Sequence, residues 1–94
     1  MIKKQFVKSR NVAKVTFQLP ADVPADGVDL IADFTEWRPV AMRRTDGGWT
    51  VEMRVPPGTY HFAFVVDGRW YVPPDAPGRV SDEWGRANAT LVVP

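Results

Sequence analysis

The chain has 94 residues, of which 45% are hydrophobic and 24% charged, with a formal net charge of +1 and no cysteine. This length corresponds to about one domain, and the near balance of charge gives no electrostatic basis for binding nucleic acid or an anionic membrane. The absence of cysteine excludes disulfides and thiolate zinc sites, and no apolar run approaches the roughly 20 residues of a membrane-spanning helix.

The N-terminal segment, residues 1–10, is predicted to be a basic flank. It contains Lys3, Lys4, Lys8 and Arg10, a cluster short enough to be simply solvated. No apolar segment follows it, so it lacks the form of a signal peptide, and we expect a cytoplasmic location. Residues 11–94 are expected to form a single domain. The initial Met and a last strand ending at Pro94 favour a complete small protein.

The rest of the chain alternates apolar and polar residues with a period of two, the pattern of half-buried β-strands. Segments rich in Gly and Pro separate these strands, and no window of ten or more residues shows helical spacing. Asp67-Gly68 predicts a tight hairpin, and Pro56-Pro57-Gly58 separates two strands that we expect to pair as a hairpin. Predicted strands lie at 13–19, 28–34, 49–55, 60–66, 69–72 and 89–93. This succession predicts an all-β antiparallel β-sandwich.

The same alternation divides the aromatic residues into two groups. Those in phase with aliphatic neighbours are predicted to lie in the core. They are Phe17, Trp49, Tyr60, Phe62 and Phe64. Trp37, Trp70 and Trp84 belong to no apolar face and lie in or beside turns, where they either cap the ends of the sandwich or form a binding surface.

A sugar is the partner that the chemistry of these tryptophans favours. The C–H face of a pyranose can lie flat on an indole, which is a rigid surface with little conformational entropy to lose. The rim hydroxyls of the sugar then need polar side chains near the indoles. Such side chains occur within a few positions of the three tryptophans: Glu36, Asp67, Arg69, Arg86 and Asn88.

Three motifs follow one another along the chain at residues 28–37, 58–70 and 84–88. They are Phe-x-x-Trp, Tyr-x-Phe-x-Phe-x-Val-Asp-Gly-x-Trp and Gly-x-x-Asn. In order and spacing they resemble carbohydrate-binding module family 48. That family includes the glycogen-binding domain of the AMP-activated protein kinase beta subunit and the early-set domains of isoamylases and glycogen branching enzymes. The resemblance covers roughly residues 11–93 and implies an immunoglobulin-like early-set sandwich.

The resemblance also implies a site for the α-1,4-glucans of glycogen, starch and maltodextrins. By position, Trp37 and Trp70 match two sugar-stacking tryptophans, and Asn88 matches an asparagine that hydrogen-bonds glucose hydroxyls. Trp84 falls where the kinase-associated domain has a leucine that threads into the curved glucan. A bulky aromatic residue there either extends the platform or blocks the threading.

Two residues depart from the pattern of the kinase-associated domain. Ala63 replaces a sugar-bonding lysine, which removes one charge-assisted hydrogen bond, and Arg86 replaces a threonine. Arg86 is expected to contribute to binding from the neighbouring loop, less than the tryptophans do. The predicted carbohydrate site therefore consists of Trp37, Trp70, Trp84, Asn88 and Arg86.

No catalytic machinery, metal site or cofactor is predicted. Glycoside hydrolysis needs two carboxylates that flank a bond, whereas the carboxylates in loops and turns are best interpreted as solvated surface groups. These are Asp33, Glu36, Asp67, Asp75, Asp82 and Glu83. His61, the single histidine, is predicted to be structural or solvent-facing. The chain is thus expected to be a glucan-binding module, and the alternative is a protein-interaction module that docks on or regulates a glucan-active enzyme or kinase complex.

Overall fold

The computed structural model describes residues 2–7, 12–74, 76–82 and 84–94, with side chains from residue 12 onward. Lys8 and Arg10 of the predicted flank, and the carboxylates Asp75 and Glu83, lie outside this part of the chain. The strands are β1 (Ile2–Val7), β2 (Val12–Pro20), β3 (Val28–Ala32), β4 (Val40–Ala41), β5 (Arg43–Thr45), β6 (Gly48–Val55), β7 (Gly58–Val66), β8 (Arg69–Tyr71), β9 (Val80–Ser81) and β10 (Ala87–Val93). One turn of 3₁₀ helix spans Asp33–Thr35. Among the described residues no helix is long and apolar enough to cross a membrane.

The strands form two antiparallel sheets, which confirms the predicted all-β sandwich. The first sheet has the order β1-β2-β6-β5. The second has the order β4-β3-β7-β10-β9, and β8 pairs with the C-terminal part of β7. The longest pairing joins β2 and β6, from Ala13 opposite Val55 to Pro20 opposite Gly48.

The core lies between the sheets and follows the predicted alternation. Every second residue of β2 from Ala13 to Leu19 is buried, because these side chains point at the second sheet. The Phe17 and Phe62 rings meet edge to face with centroids 5.1 Å apart. Phe17, Trp49, Phe62 and Phe64 are buried, as predicted. Tyr60 is half-buried at the edge of this core, and its hydroxyl donates to the carbonyl of Pro56 at 2.8 Å.

The two predicted hairpins have different outcomes. Asp67 and Gly68 join β7 to β8 with φ angles of 50° and 81°, and Val66 pairs with Arg69, so that hairpin is confirmed. The hairpin expected across Pro56-Pro57-Gly58 is wrong, because β6 belongs to the first sheet and β7 to the second. A pair of prolines offers no backbone N–H for a ladder between these strands, and the chain crosses there from one sheet to the other.

Local boundaries also differ from the prediction. The strand expected to run to Phe34 ends at Ala32, where the 3₁₀ turn begins. Residues 2–7 of the predicted flank form β1, which pairs with β2 so that Ile2 lies opposite Phe17. The short strands β4, β5 and β9 were not predicted, because two or three residues are too few to show a period.

The outward face of the second sheet carries the residues that matter for the site. Because Phe62 and Phe64 point into the core, the intervening Ala63 points outward, and Ile31 pairs with it on β3. Trp70 pairs with Val65 in the next outward row. Asn88 precedes Ala89, which pairs with Phe62, so Asn88 is also on the outward face.

Candidate functional site

An open pocket of about 290 Å³ lies on the outward face of the second sheet. It is lined by Trp37, His61, Asp82, Trp84, Arg86 and Asn88. Four of the five predicted carbohydrate-site residues therefore lie around one space. Trp70 is the exception, since it does not line the pocket. Two larger surface grooves, of about 470 and 550 Å³, contain none of the predicted site residues.

Trp37 is positioned by a tight backbone structure at the end of the 3₁₀ turn. Glu36 and Trp37 both adopt the left-handed conformation, with φ angles of 56° and 59°. The N–H of Trp37 donates to the carbonyl of Ala32 at 2.9 Å, and that of Glu36 donates to Asp33 at 3.0 Å, the two bonds of a Schellman motif. Left-handed non-glycine residues cost about 1–3 kcal/mol each, so the surrounding bonds must hold this conformation. The indole is left 38% exposed.

The carboxylate of Asp33 ties this turn to the sheet. Its Oδ2 accepts the backbone N–H of His61 at 2.7 Å and lies 3.9 Å from His61 Nδ1. Because His61 belongs to β7, the bond connects the turn that carries Trp37 to a central strand of the second sheet. The position of Trp37 is thus coupled to a rigid element.

Trp37 and Trp70 lie together although they are 33 positions apart in the sequence. Their ring centroids are 6.2 Å apart and their planes differ by 23°. Face-to-face contact occurs at about 3.5–4.0 Å between carbon atoms, so the rings are displaced sideways and neither covers the whole face of the other. The Nε1–H of Trp70 donates to the carbonyl of Ala87 at 2.7 Å, which fixes this half-buried ring against β10.

Asp82 organises the turn that carries Trp84 and Arg86. Its Oδ1 accepts the backbone N–H of Trp84 at 2.9 Å and that of Arg86 at 2.8 Å, and its Oδ2 accepts Arg86 Nε–H at 3.0 Å. Desolvation raises the pKa of Asp82, but these hydrogen bonds and the nearby guanidinium outweigh it and hold the pKa below its ordinary value. The indole of Trp84 is 74% exposed.

The guanidinium of Arg86 lies over the ring of Trp70. Its central carbon is 4.3 Å from the ring centroid, within the range of a cation–π contact. The Arg86 side chain is 48% exposed, and Trp70 is half-buried.

Asn88 lines the pocket and has a buried, unpaired side-chain oxygen. The residue is only 3% exposed, and its Oδ1 has no hydrogen-bond partner in the described part of the chain. A buried acceptor without a partner costs about 1–3 kcal/mol. A hydroxyl that enters the pocket and donates to Asn88 would recover this free energy.

Three carboxylates interpreted from the sequence as solvated groups also bind backbone N–H groups. Asp33 and Asp82 do so beside the pocket. Asp67 Oδ1 accepts the N–H groups of Asp26 and Gly27 at 2.9 and 2.8 Å, so it holds the loop before β3 and takes no part in the pocket. All three carboxylates therefore stabilise the backbone conformation of turns and loops.

Two residues that line the pocket, His61 and Asp82, were not predicted as site residues. The period of two could have placed His61 on the same outward face as Ala63. The spacing of Asp82 and Gly85 is a local turn signal, but the sequence does not reveal that this turn packs beside Trp70.

The residues around the pocket fall within a region that matches a known family. The family model described as the glycogen recognition site of AMP-activated protein kinase matches residues 14–94. This range contains all five predicted carbohydrate-site residues and leaves out β1. No curated relative matches the chain.

Proposed function

The chain belongs to the family of the glycogen recognition site of AMP-activated protein kinase, and we propose that it binds α-1,4-glucans such as glycogen, starch and maltodextrins without transforming them. The family match over most of the chain supports glucan binding. The proposal is assigned to particular residues because Trp37, Trp84 and Asn88, whose Oδ1 is unpaired, line one pocket.

Each part of the pocket has a role suited to a sugar. The exposed indole of Trp37 receives the C–H face of a pyranose, and Trp84 provides a second aromatic wall. Asn88 accepts a hydrogen bond from a sugar hydroxyl. Arg86 lies at the rim of the pocket, and Trp70 extends the aromatic surface beside Trp37.

The carboxylates beside the pocket support binding without catalysis. A glycosidase needs one carboxyl group to protonate the leaving oxygen and another to attack or activate water. Asp33 is bonded to the backbone of His61, and Asp82 is bonded to Trp84 and Arg86. Both groups are committed to holding the backbone of the site.

Titration of tryptophan fluorescence with maltoheptaose tests the proposal. A saturable change in the micromolar to millimolar range is expected, which corresponds to about −8 to −4 kcal/mol. Cellohexaose, a β-1,4-linked chain of the same hexose, is the matched control and should produce no saturable change. The absence of any change at millimolar maltoheptaose, with Trp37→Ala and Trp70→Ala behaving like the parent, would remove the proposal.

A second candidate function is a protein-interaction module, and the exposure of Trp84 favours it. An indole that is 74% exposed is an effective anchor for a protein interface. Under this alternative a partner, such as a glucan-active enzyme, docks on the same surface. Capture of a partner from lysate in the presence of excess maltodextrin supports the alternative, whereas release by the sugar indicates that the glucan occupies this surface.

A further inference from the structure

The contact between Arg86 and Trp70 has a consequence for the ligand. We infer that Arg86 determines which glucans bind well, because its guanidinium competes with the sugar for the solvent face of Trp70. The inference rests on the proposed function and refers to the same site. It assigns to Arg86 a role that opposes binding at Trp70.

The two faces of the Trp70 ring are in different environments. The residue is half-buried and packs against the hydrophobic core cluster, and its Nε1–H is bonded to Ala87. A sugar can therefore approach the ring only from the solvent side. The Arg86 guanidinium lies 4.3 Å from the ring centroid on a half-exposed side chain, and we therefore place it on that side.

Asp82 restrains Arg86 in this place. The carboxylate binds Arg86 twice, through the backbone N–H at 2.8 Å and through Nε at 3.0 Å. The hydrogen bond to the backbone N–H fixes the position of the Arg86 backbone, and the hydrogen bond to Nε restricts rotation of the guanidinium. Asp82 is therefore a positioning residue that acts through Arg86.

Competition at Trp70 depends on the length of the glucan. A short ligand can occupy the pocket between Trp37, Trp84 and Asn88 without touching Trp70, which does not line that pocket. A longer chain that continues from Trp37 onto the neighbouring ring, 6.2 Å away, must displace the guanidinium. Removal of Arg86 should consequently favour long chains over short ones.

Calorimetric titration of the full chain with maltoheptaose and with maltose tests the inference. The comparison is between the parent, Arg86→Ala and the control Arg38→Ala. Arg38 is also exposed and lies next to Trp37, but it pairs with Glu36 at 3.9 Å. An exposed cation–π contact corresponds to about a two- to fivefold change in affinity.

The expected result is specific to one variant and one ligand. Arg86→Ala should bind maltoheptaose about two- to fivefold more tightly than the parent, with a smaller change for maltose, and Arg38→Ala should match the parent. Equal or weaker binding of maltoheptaose by Arg86→Ala would overturn the inference, since Arg86 would then be neutral or a favourable ligand contact.

A measurement without sugar separates this inference from the proposed function. Quenching of tryptophan fluorescence by acrylamide should increase in Arg86→Ala, because Trp70 loses its cover, and the increase should disappear when Trp70→Phe is added. Unchanged quenching would overturn the shielding by Arg86 while leaving glucan binding intact. Absence of glucan binding in every variant, with the increase in quenching present, would overturn the proposed function and the competition that depends on it.

Discussion

Replacing Trp37 by alanine should weaken glucan binding while leaving the fold in place. A tryptophan presents about 150–250 Å² of surface, and at 38% exposure about 60–95 Å² of Trp37 is available to a ligand. At about 25 cal/mol per Å² this area contributes about 1.4–2.4 kcal/mol. The expected loss of affinity for maltoheptaose is therefore about 10- to 50-fold, as an upper estimate for complete coverage by the sugar.

The effect of Trp37→Ala on stability comes from the part of the indole that is already buried in the free protein. Alanine removes the contact between Trp37 and Trp70, which contributes about 0.5–1.5 kcal/mol beyond area burial. It also removes the buried part of the ring surface, about 95–155 Å², which at about 25 cal/mol per Å² contributes ~2–4 kcal/mol. The backbone bond from residue 37 to Ala32 remains available. Unfolding in urea should therefore give a cooperative transition with a free energy of unfolding lowered by about 2–5 kcal/mol, as an upper estimate, and binding is compared under conditions in which the variant is folded.

Calorimetry with maltoheptaose measures the loss of affinity, and Trp37→Phe is the matched variant. Phenylalanine keeps a flat ring of smaller area, so its affinity should lie between those of the parent and Trp37→Ala. A loss of less than about threefold in Trp37→Ala, with the urea transition intact, would refute the role of this indole as a sugar platform.

Three further predictions follow from the same structure. Trp84→Ala should weaken maltoheptaose binding about two- to tenfold with an unchanged free energy of unfolding, because the indole is 74% exposed, and tighter binding would show that Trp84 obstructs the site. The lowered pKa of Asp82 means that its stabilising effect on the turn is complete above the ordinary aspartate pKa of about 4 and is lost as the pH falls below it. The near-UV circular dichroism should therefore contain an acid transition below about pH 4 that Asp82→Asn lacks. Gly48→Ala should lower the free energy of unfolding in urea by more than about 1 kcal/mol, because φ is 123° and a Cβ would collide with the carbonyl of Leu19. Gly47→Ala, with open space around its Cβ position, is the control and should be nearly neutral.

The strands and the core could be predicted because their signal is local. Alternation from Ala13 to Leu19 places one side of β2 against the second sheet, and those side chains are buried. The turn at Asp67-Gly68 was predictable for the same reason, since two consecutive positive φ angles favour these residue types. Such signals act over a few positions and do not depend on which strand becomes the neighbour.

Pairing between distant strands could not be predicted in this way. The strands on either side of Pro56 are adjacent in sequence and were expected to pair, but they lie in different sheets. β6 instead pairs with β2, whose apolar face it continues across the first sheet. This choice depends on the burial of both apolar faces in one core, which is a property of the whole chain.

The site also combines features that local sequence shows with contacts that only the folded chain forms. The sequence alone identified Trp37, Trp70 and Trp84 as tryptophans outside any apolar strand face. The residues next to each of them show no apolar alternation with a period of two, and this can be read locally. The resemblance implied that Trp37 and Trp70 form one stacking pair, and their rings do lie together. Only the tertiary structure placed Arg86 over the Trp70 ring, 16 positions away in the sequence. The physical reason is that the alternation of a strand is set by the geometry of one segment. The contact between Arg86 and the Trp70 ring depends instead on how two turns from separate parts of the chain pack against the same sheet.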